Sequence, residues 1–280
     1  MGILDALFYK YFGPIVDDIG NSDAERFISK MKELSVKASG DLKRKIDQQI
    51  LYAEAGIIGE NQIAYELKNS GMDMIAVHDL YLEKNGLSAQ IDFMVITRKH
   101  VFIIECKNLY GDIEIDDKGD FIRKTGHGQF FRKEGFTSPV TQNERHLNLI
   151  KEIRREYKTN FIARGEFDKF FPKIYRSVIV LANPKTILND KQAPKEIRDI
   201  VIRSDRLVAH IKDIEEQDDL YKCSEKEMRE LLETFTKCSK PNVSDYAKKY
   251  EELLAEMSKG EPQPKPKVAQ PKPNKPGKEA

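Results

Sequence analysis

Two apolar runs separated by a short basic turn constrain this chain more than anything else in it. Gln90-Ile91-Asp92-Phe93-Met94-Val95-Ile96 leads through Thr97–His100 into Val101-Phe102-Ile103-Ile104-Glu105-Cys106-Lys107-Asn108. Short runs rich in β-branched and aromatic residues read as strands, and two of them around a tight turn read as a hairpin. Side chains alternate faces along a strand, so Val101, Ile103, Glu105 and Lys107 share one face while Phe102, Ile104 and Cys106 share the other. Both faces are apolar, which implies a central strand covered on both sides. Outside the turn the only charges are Asp92, Glu105 and Lys107. Charges at the end of such a strand are costly to bury unless they are paired or bind a metal.

The register follows from the turn. An even turn from Thr97 to His100 pairs Ile96 with Val101 and sets Asp92 opposite Glu105. Directly opposed Cβ atoms lie about 4.5–5.5 Å apart, close enough for two carboxylates to share one ion. A three-residue turn would instead put Asp92 opposite Cys106, on the wrong face.

The chain has 280 residues, enough for a sizeable core in one or two domains. It is 33% charged with a net charge of only +1, so contact with nucleic acid would need a local basic patch. The three cysteines (Cys106, Cys223, Cys238) show no metal or redox spacing, and the five histidines form no HxH or HExxH motif, so a zinc hydrolase finds no support. No apolar run approaches the roughly 18–20 residues of a membrane span, and no signal peptide is evident. A reduced, cytoplasmic protein is the expectation.

Residues 3–12 are strongly apolar and are expected to dock as a helix; they lack the basic polar face of a membrane-surface helix. Ser22-Asp23-Ala24-Glu25 has the capping-box pattern for a helix to about Ser35. A longer helical stretch runs from about Asp41 to Ser70, where Gly56 and Gly59 imply either a close approach to a sheet or a break between two helices. Strands are expected at about 73–82, 88–96, 101–107, 111–115 and 120–124, the first two joined by the type I′ turn Asn85-Gly86. Asp116-Asp117-Lys118-Gly119 lacks the calcium-loop pattern and reads as a solvated hairpin tip. Residues 125–137 read as a glycine-bearing, partly basic loop. Ser138-Pro139 then caps a helix ending near Lys158. A continuous apolar strand at 175–182, a second at 197–202, and helices near 205–215, 224–237 and 243–257 complete the body. The last 22 residues hold six prolines and six lysines against two glutamates, a disordered or polyproline-like tail.

An acid on one strand facing acid-x-lysine on the next is the set a metal-dependent phosphodiesterase needs. Asp92 and Glu105 would bind Mg²⁺ or Mn²⁺, hard cations that prefer carboxylate oxygen. Lys107 would stabilise charge developing on the phosphate or orient the attacking water. Glu60, on the preceding helix, would add a third acid, directly or through water. Gln142, in the first turn of the helix begun by Pro139, could contact the water or the phosphate. The competing reading is a structural Glu105–Lys107 ion pair near a strand end, with Asp92 satisfying backbone.

From about Glu54 to Lys158 the sequence resembles the nuclease-related (NERD) domain. The resemblance is carried by Ala55-Gly56-Ile57-Ile58-Gly59-Glu60, Leu80-Tyr81-Leu82, Ala89-Gln90-Ile91-Asp92, Ile103-Ile104-Glu105-Cys106-Lys107-Asn108, Gly111 and Pro139-Val140-Thr141-Gln142-Asn143. It implies a PD-(D/E)xK restriction-endonuclease-like fold, in which the family's acids fall on Glu60, Asp92 and Glu105, its lysine on Lys107 and its glutamine on Gln142. Ile91 stands where the superfamily's proline would precede the aspartate.

The expected architecture is α/β, a mixed central sheet flanked by helices. It divides into an N-terminal helical region (1–53), the nuclease-like domain (54–215), C-terminal helices (216–258) and the tail (259–280). The leading functional reading is a magnesium-dependent hydrolase of nucleic acid, DNA foremost, in a bacterial cytoplasm. One rival is a non-catalytic nucleic-acid-binding module whose Phe130, Phe131, Arg132 and Lys133 supply stacking and phosphate contacts. Another is a membrane-peripheral or partner-binding scaffold using residues 1–14 and the tail.

Overall fold

The computed structural model describes residues 11–18, 23–240 and 245–258. In chain order these form β1 (Pro14–Asp18), α1 (Asp23–Lys37), α2 (Gly40–Lys68), β2 (Met74–Lys84), β3 (Leu87–Thr97), β4 (Val101–Lys107), β5 (Asp112–Ile115), β6 (Phe121–Thr125) and β7 (Arg132–Phe136). There follow α3 (Pro139–Glu156), α4 (Phe161–Ile174), β8 (Tyr175–Leu181), β9 (Leu188–Asn189), the short α5 (Lys195–Arg198), β10 (Val201–Arg203), α6 (Leu207–Gln217), α7 (Glu225–Thr236) and α8 (Lys248–Ser258).

The main sheet is mixed, in the order β1-β2-β3-β4-β8-β10. β2, β3 and β4 form an antiparallel meander, whereas β8 lies parallel to β4 and β10 parallel to β8. β4 is therefore central, as its two apolar faces require. Val101 and Ile103 pack with Leu149, Ile150 and Ile153 of α3 on one side. Phe102 and Ile104 pack with Ile63 and Leu67 of α2 and with Leu207 and Ile211 of α6 on the other. Full burial of each such side chain is worth about 1.5–3 kcal/mol, so this layer fixes where the carboxyl end of β4 emerges.

The expected hairpin register holds: Ile96 pairs with Val101 and Phe93 with Ile104. The turn is closed by the Thr97 amide on the His100 carbonyl (2.9 Å). Asn85 and Gly86 both have positive φ, 51° and 77°, as a type I′ turn demands. The acidic segment at 116–119 is the expected hairpin tip, with Asp116 Oδ1 accepting from the Lys118 and Asp120 amides.

α2 runs unbroken through both glycines. A Cβ on Gly59 would lie 2.7 Å from Asn108 Cβ and 3.0 Å from Cys106 Sγ, whereas one on Gly56 would meet nothing within 4 Å. Only Gly59 marks the close approach of helix to sheet. Below that contact, α1 and the first half of α2 pack against α8 through Met31, Leu34, Ile46, Ile50 and Tyr250.

Several elements depart from expectation. Residues 14–18 are an edge strand of the main sheet rather than part of an all-helical region, because parallel pairing with β2 orders a stretch too short to show periodicity. Residues 132–136 are a strand, not loop. Arg-Lys-Glu-Gly-Phe has no apolar alternation, and its pairing with β6 holds it extended while its side chains stay largely exposed. Together β7-β6-β5-β9 form a second, four-stranded sheet. The unexpected α4 contains Gly165 and Pro172, which mask a helix in the sequence; Phe171 stacking on Tyr175 (4.4 Å between centroids) helps fix it. The strand expected at 197–202 divides into α5 and β10. Residues 1–10, 19–22, 241–244 and 259–280, including most of the apolar start, the Ser22 of the expected capping box and the whole Lys/Pro tail, lie outside the described residues. No described helix is long and apolar enough to cross a membrane.

Candidate active site

The β2–β3 ladder runs from Met74↔Thr97 to His78↔Phe93 and resumes at Leu80↔Ile91, skipping Asp79 and Asp92 between them. Asp79 has φ 57°, a left-handed conformation that aspartate tolerates better than most residues. Its Oδ1 accepts from Gln90 Nε2 at 2.6 Å. On the other edge of β3, the Cys106 amide donates to Asp92 Oδ2 at 2.7 Å. Asp92 thus spans to β4 through a backbone hydrogen bond next to Glu105.

Glu105 is 2% exposed. Lys107 Nζ donates to its Oε1 at 2.6 Å and to Gln142 Oε1 at 3.2 Å. Gln142 reaches this position because Pro139 and the Ser138 cap set the start of α3 against the end of β4; Ser138 Oγ accepts from the Thr141 amide at 3.4 Å. The structure therefore brings Asp92, Glu105, Lys107 and Gln142 together. Glu60 is turned toward His78, whose Nε2 lies 3.0 Å from Glu60 Oε2.

The electrostatics are those of negative charge held out of water. Burial, then the neighbouring Glu105 charge, pushes the Asp92 carboxyl well above the usual aspartate range. Burial also raises Glu105, against the opposing pull of the Lys107 ammonium. Cys106 is driven up by burial and then by Asp92, Glu60 and Glu105, so its thiol stays protonated and is a poor nucleophile.

Glu105 Oε2 is buried and has no hydrogen-bond partner. His146 Nδ1 lies 3.8 Å from it, too long for a hydrogen bond. Burial, reinforced by Lys107, lowers the His146 pKa to about 4, so at neutral pH the imidazole is uncharged and forms no ion pair.

Among the described residues no three His, Cys, Asp or Glu side chains converge as a ready-made metal cage. The Asp92–Glu105 pair fits a hard divalent cation all the same. One oxygen is orphaned in the interior, two carboxyls oppose each other's ionisation, and Mg²⁺ commonly takes one or two protein carboxylates with water and phosphate completing its octahedron.

Two residues escaped the sequence reading. Asn143, fully buried, donates from Nδ2 to the Ile103 carbonyl (2.7 Å) and Ser177 Oγ (2.8 Å), tying α3 to β4 and β8. His146 follows Gln142 by one helical turn, and that i, i+4 spacing was the available signal that both face Glu105. A cavity of about 1110 Å³ opens elsewhere, beside Tyr175, Arg176 and His210, and contains none of the acids or lysine of this cluster.

Residues 55–182 match the family model of the nuclease-related domain. Over that span the chain is similar to the nuclease-related domain. No curated protein and no solved structure gives a match. The matched span begins in the middle of α2 and ends just after β8, so it contains Glu60, Asp92, Glu105, Lys107 and Gln142, as well as Asn143 and His146. It leaves out β1, α1 and everything from β9 onward.

Proposed function

We propose that this chain hydrolyses phosphodiester bonds in nucleic acid, DNA foremost, with Asp92 and Glu105 holding a divalent cation. The observation that supports it most is Glu105. One of its oxygens is bound to Lys107, the other is buried without a partner, and a second carboxyl beside it is forced upward in pKa. A purely structural ion pair explains the first oxygen and leaves the second unexplained.

When bound, Mg²⁺ or Mn²⁺ would polarise the scissile phosphate and lower the pKa of a coordinated water. Asp92 and Glu105 would hold the cation. Asp92 is kept in place by the Cys106 amide, and Glu105 by the Lys107 ammonium. Lys107 Nζ retains a third donor beyond Glu105 and Gln142, aimed at negative charge developing on the phosphate. Gln142 positions that ammonium through its Oε1, and its side chain also favours the ionised form of Glu105. Glu60, held by His78, would reach the cation through water. His146, neutral at pH 7, places no competing positive charge against Glu105. A nuclease-like domain over 54–215, with β1 from the N-terminal region completing its sheet, and a bacterial cytoplasmic setting belong to this proposal.

A second reading, a binding module without turnover, is favoured by the closed Lys107–Glu105 pair, in which the lysine is already neutralised. Cleavage of supercoiled plasmid, linear duplex and single strands in Mg²⁺, Mn²⁺ and EDTA separates the two. Metal-dependent cleavage that falls at least about 10²-fold in Lys107→Ala is expected. Gel shift of one substrate without cleavage under any condition would establish the module instead.

A further inference from the structure

The segment joining β4 to the second sheet carries an aromatic side chain held out in solvent next to the acids. Tyr110 is 74% exposed. It lies three residues past Lys107, so their Cα atoms are at most about 11 Å apart. Its backbone is not loose: the preceding Leu109 carbonyl accepts from both Asn183 Nδ2 and Thr186 Oγ1, each at 3.0 Å. An exposed ring on a pinned backbone loses little entropy when something stacks on it.

The second sheet delivers further aromatics to the same place. Asp112 pairs with Lys124 and Thr125 with Arg132, so the 126–131 connection projects from the end of that sheet where β5 begins, beside Tyr110. Its tip exposes Phe130 (73%) and Phe131 (52%). The tip is shaped by Gly126, with φ 72°, where a Cβ would fall 2.3 Å from the Phe130 carbonyl oxygen. β6 and β7 behind it carry Arg123, Lys124, Arg132 and Lys133, of which Arg123 pairs with Glu134 and Lys124 and Lys133 share Glu114 of β5, leaving the sheet with four cations against two glutamates. Exposed rings backed by cations are the elements that bind single strands, whose unpaired bases offer free π-faces; in a duplex those faces are stacked within the helix.

We propose that Tyr110 and the Phe130–Phe131 tip form a stacking platform for the unpaired bases of a single nucleic-acid strand whose phosphate lies at Asp92, Glu105 and Lys107. The scissile position rests on the phosphodiesterase reading; the platform itself does not. The domain is thereby assigned a single-stranded substrate, or the single-stranded arm of a branched one.

The chain contains no tryptophan, so Tyr110→Trp introduces a sole indole reporter at the platform. The probes are an oligodeoxythymidine and a blunt duplex of equal length, titrated in EDTA so that cleavage does not intervene. Tyr221→Trp serves as the remote reporter. It is equally exposed (70%) and lies in the segment whose Cys223 amide bonds the Arg98 carbonyl, at the opposite end of β4. The single strand is expected to quench the Tyr110→Trp emission saturably and leave Tyr221→Trp unchanged, with the duplex binding more weakly. Tyr110→Ala and Phe130→Ala should each weaken single-strand binding roughly five- to hundred-fold. No quenching by the single strand, or equal response to duplex, would overturn the platform. Cleavage distinguishes the two proposals. Quenching without turnover in Mg²⁺ supports the platform and removes the phosphodiesterase, whereas turnover without quenching does the reverse.

Discussion

The two ends of β4 both carry buried charge, and they treat it in opposite ways. At the start of the strand the His100 ring is fully buried, with Nδ1 2.5 Å from Glu215 Oε1 and Nε2 2.9 Å from Asp218 Oδ2. Thr97 donates to Glu215 and Arg176 Nη2 to Asp218 from either side, although Arg176 Nε is itself buried without a partner. Here every ring nitrogen has a partner, and the cluster ties the β3–β4 turn to α6. At the far end Glu105 keeps an orphaned oxygen and Asp92 is pushed toward its neutral form. At the first end both imidazole nitrogens are answered by carboxylates; at the second, two carboxyls meet with one oxygen unanswered, which is the pair proposed to hold a cation. An unsatisfied buried group costs about 1–3 kcal/mol, so the orphaned Glu105 oxygen calls for an explanation.

Breaking the closed end should have the largest effect on stability. His100→Ala leaves Glu215 and Asp218 facing each other without the ring between them, and is expected to cost about 3–5 kcal/mol in denaturant melts. A loss below 1 kcal/mol would mean the network is not what fixes that end. Next comes the contact that positions the open end. Gly59→Ala drives a Cβ into Asn108 and Cys106 and should cost about 1–3 kcal/mol. Gly56→Ala, three residues earlier and facing open space, should stabilise by about 0.5–1 kcal/mol. Equal effects at the two glycines would contradict the close approach.

The open end itself should gain stability when its charge is removed. Asp92→Asn keeps an oxygen for the Cys106 amide, and is expected to raise stability by about 1 kcal/mol, or ~2–4 °C in melting temperature, while eliminating cleavage.

The two ends should also respond oppositely to pH. The Asp92 and Glu105 pKa values are raised, so the native state holds more protons than the unfolded chain. That contribution is fully present below the unfolded carboxylate range and is lost as pH rises through the folded values. Asp218 is lowered, chiefly by its hydrogen bond to His100; its contribution is present above the ordinary aspartate value and is lost as pH falls through the folded one. Melting temperature against pH for wild type and Asp92→Asn should therefore show a shallower decline with rising pH in the variant.

The smallest effect is a proton that does not arrive. With a pKa of about 4, His146 should give imidazole NMR shifts that stay neutral down to about pH 5, and its stability contribution is lost as pH falls from its unfolded value near 6.5 toward 4. Titration near 6.5 would place it in water rather than against Glu105.

Much of this was legible before the structure. The β3–β4 register follows from one even turn and a two-sided apolar strand, and that register alone brings Asp92 beside Glu105. The helix-starting Ser138-Pro139 likewise fixes Gln142 over Lys107. What could not be read depends on partners distant in sequence. β7 is a strand only because β6 pairs with it, so the aromatic tip looks like a loop from composition. α4 hides behind Gly165 and Pro172, and its order comes from packing against β8. The orphaned Glu105 oxygen and the Asn143 anchor exist only in three dimensions, since nothing in an acid-x-lysine spacing says whether the acid's second oxygen is satisfied.

The claim that the open carboxylate pair is a cation site is tested most directly by calorimetric titration of Mn²⁺ into wild type and Glu105→Gln, with His100→Ala as the control at the other end of the strand. Binding in wild type and in folded His100→Ala, lost in Glu105→Gln, is the predicted result. Mn²⁺ binding that survives Glu105→Gln unchanged, or its absence from the wild type, would contradict the account.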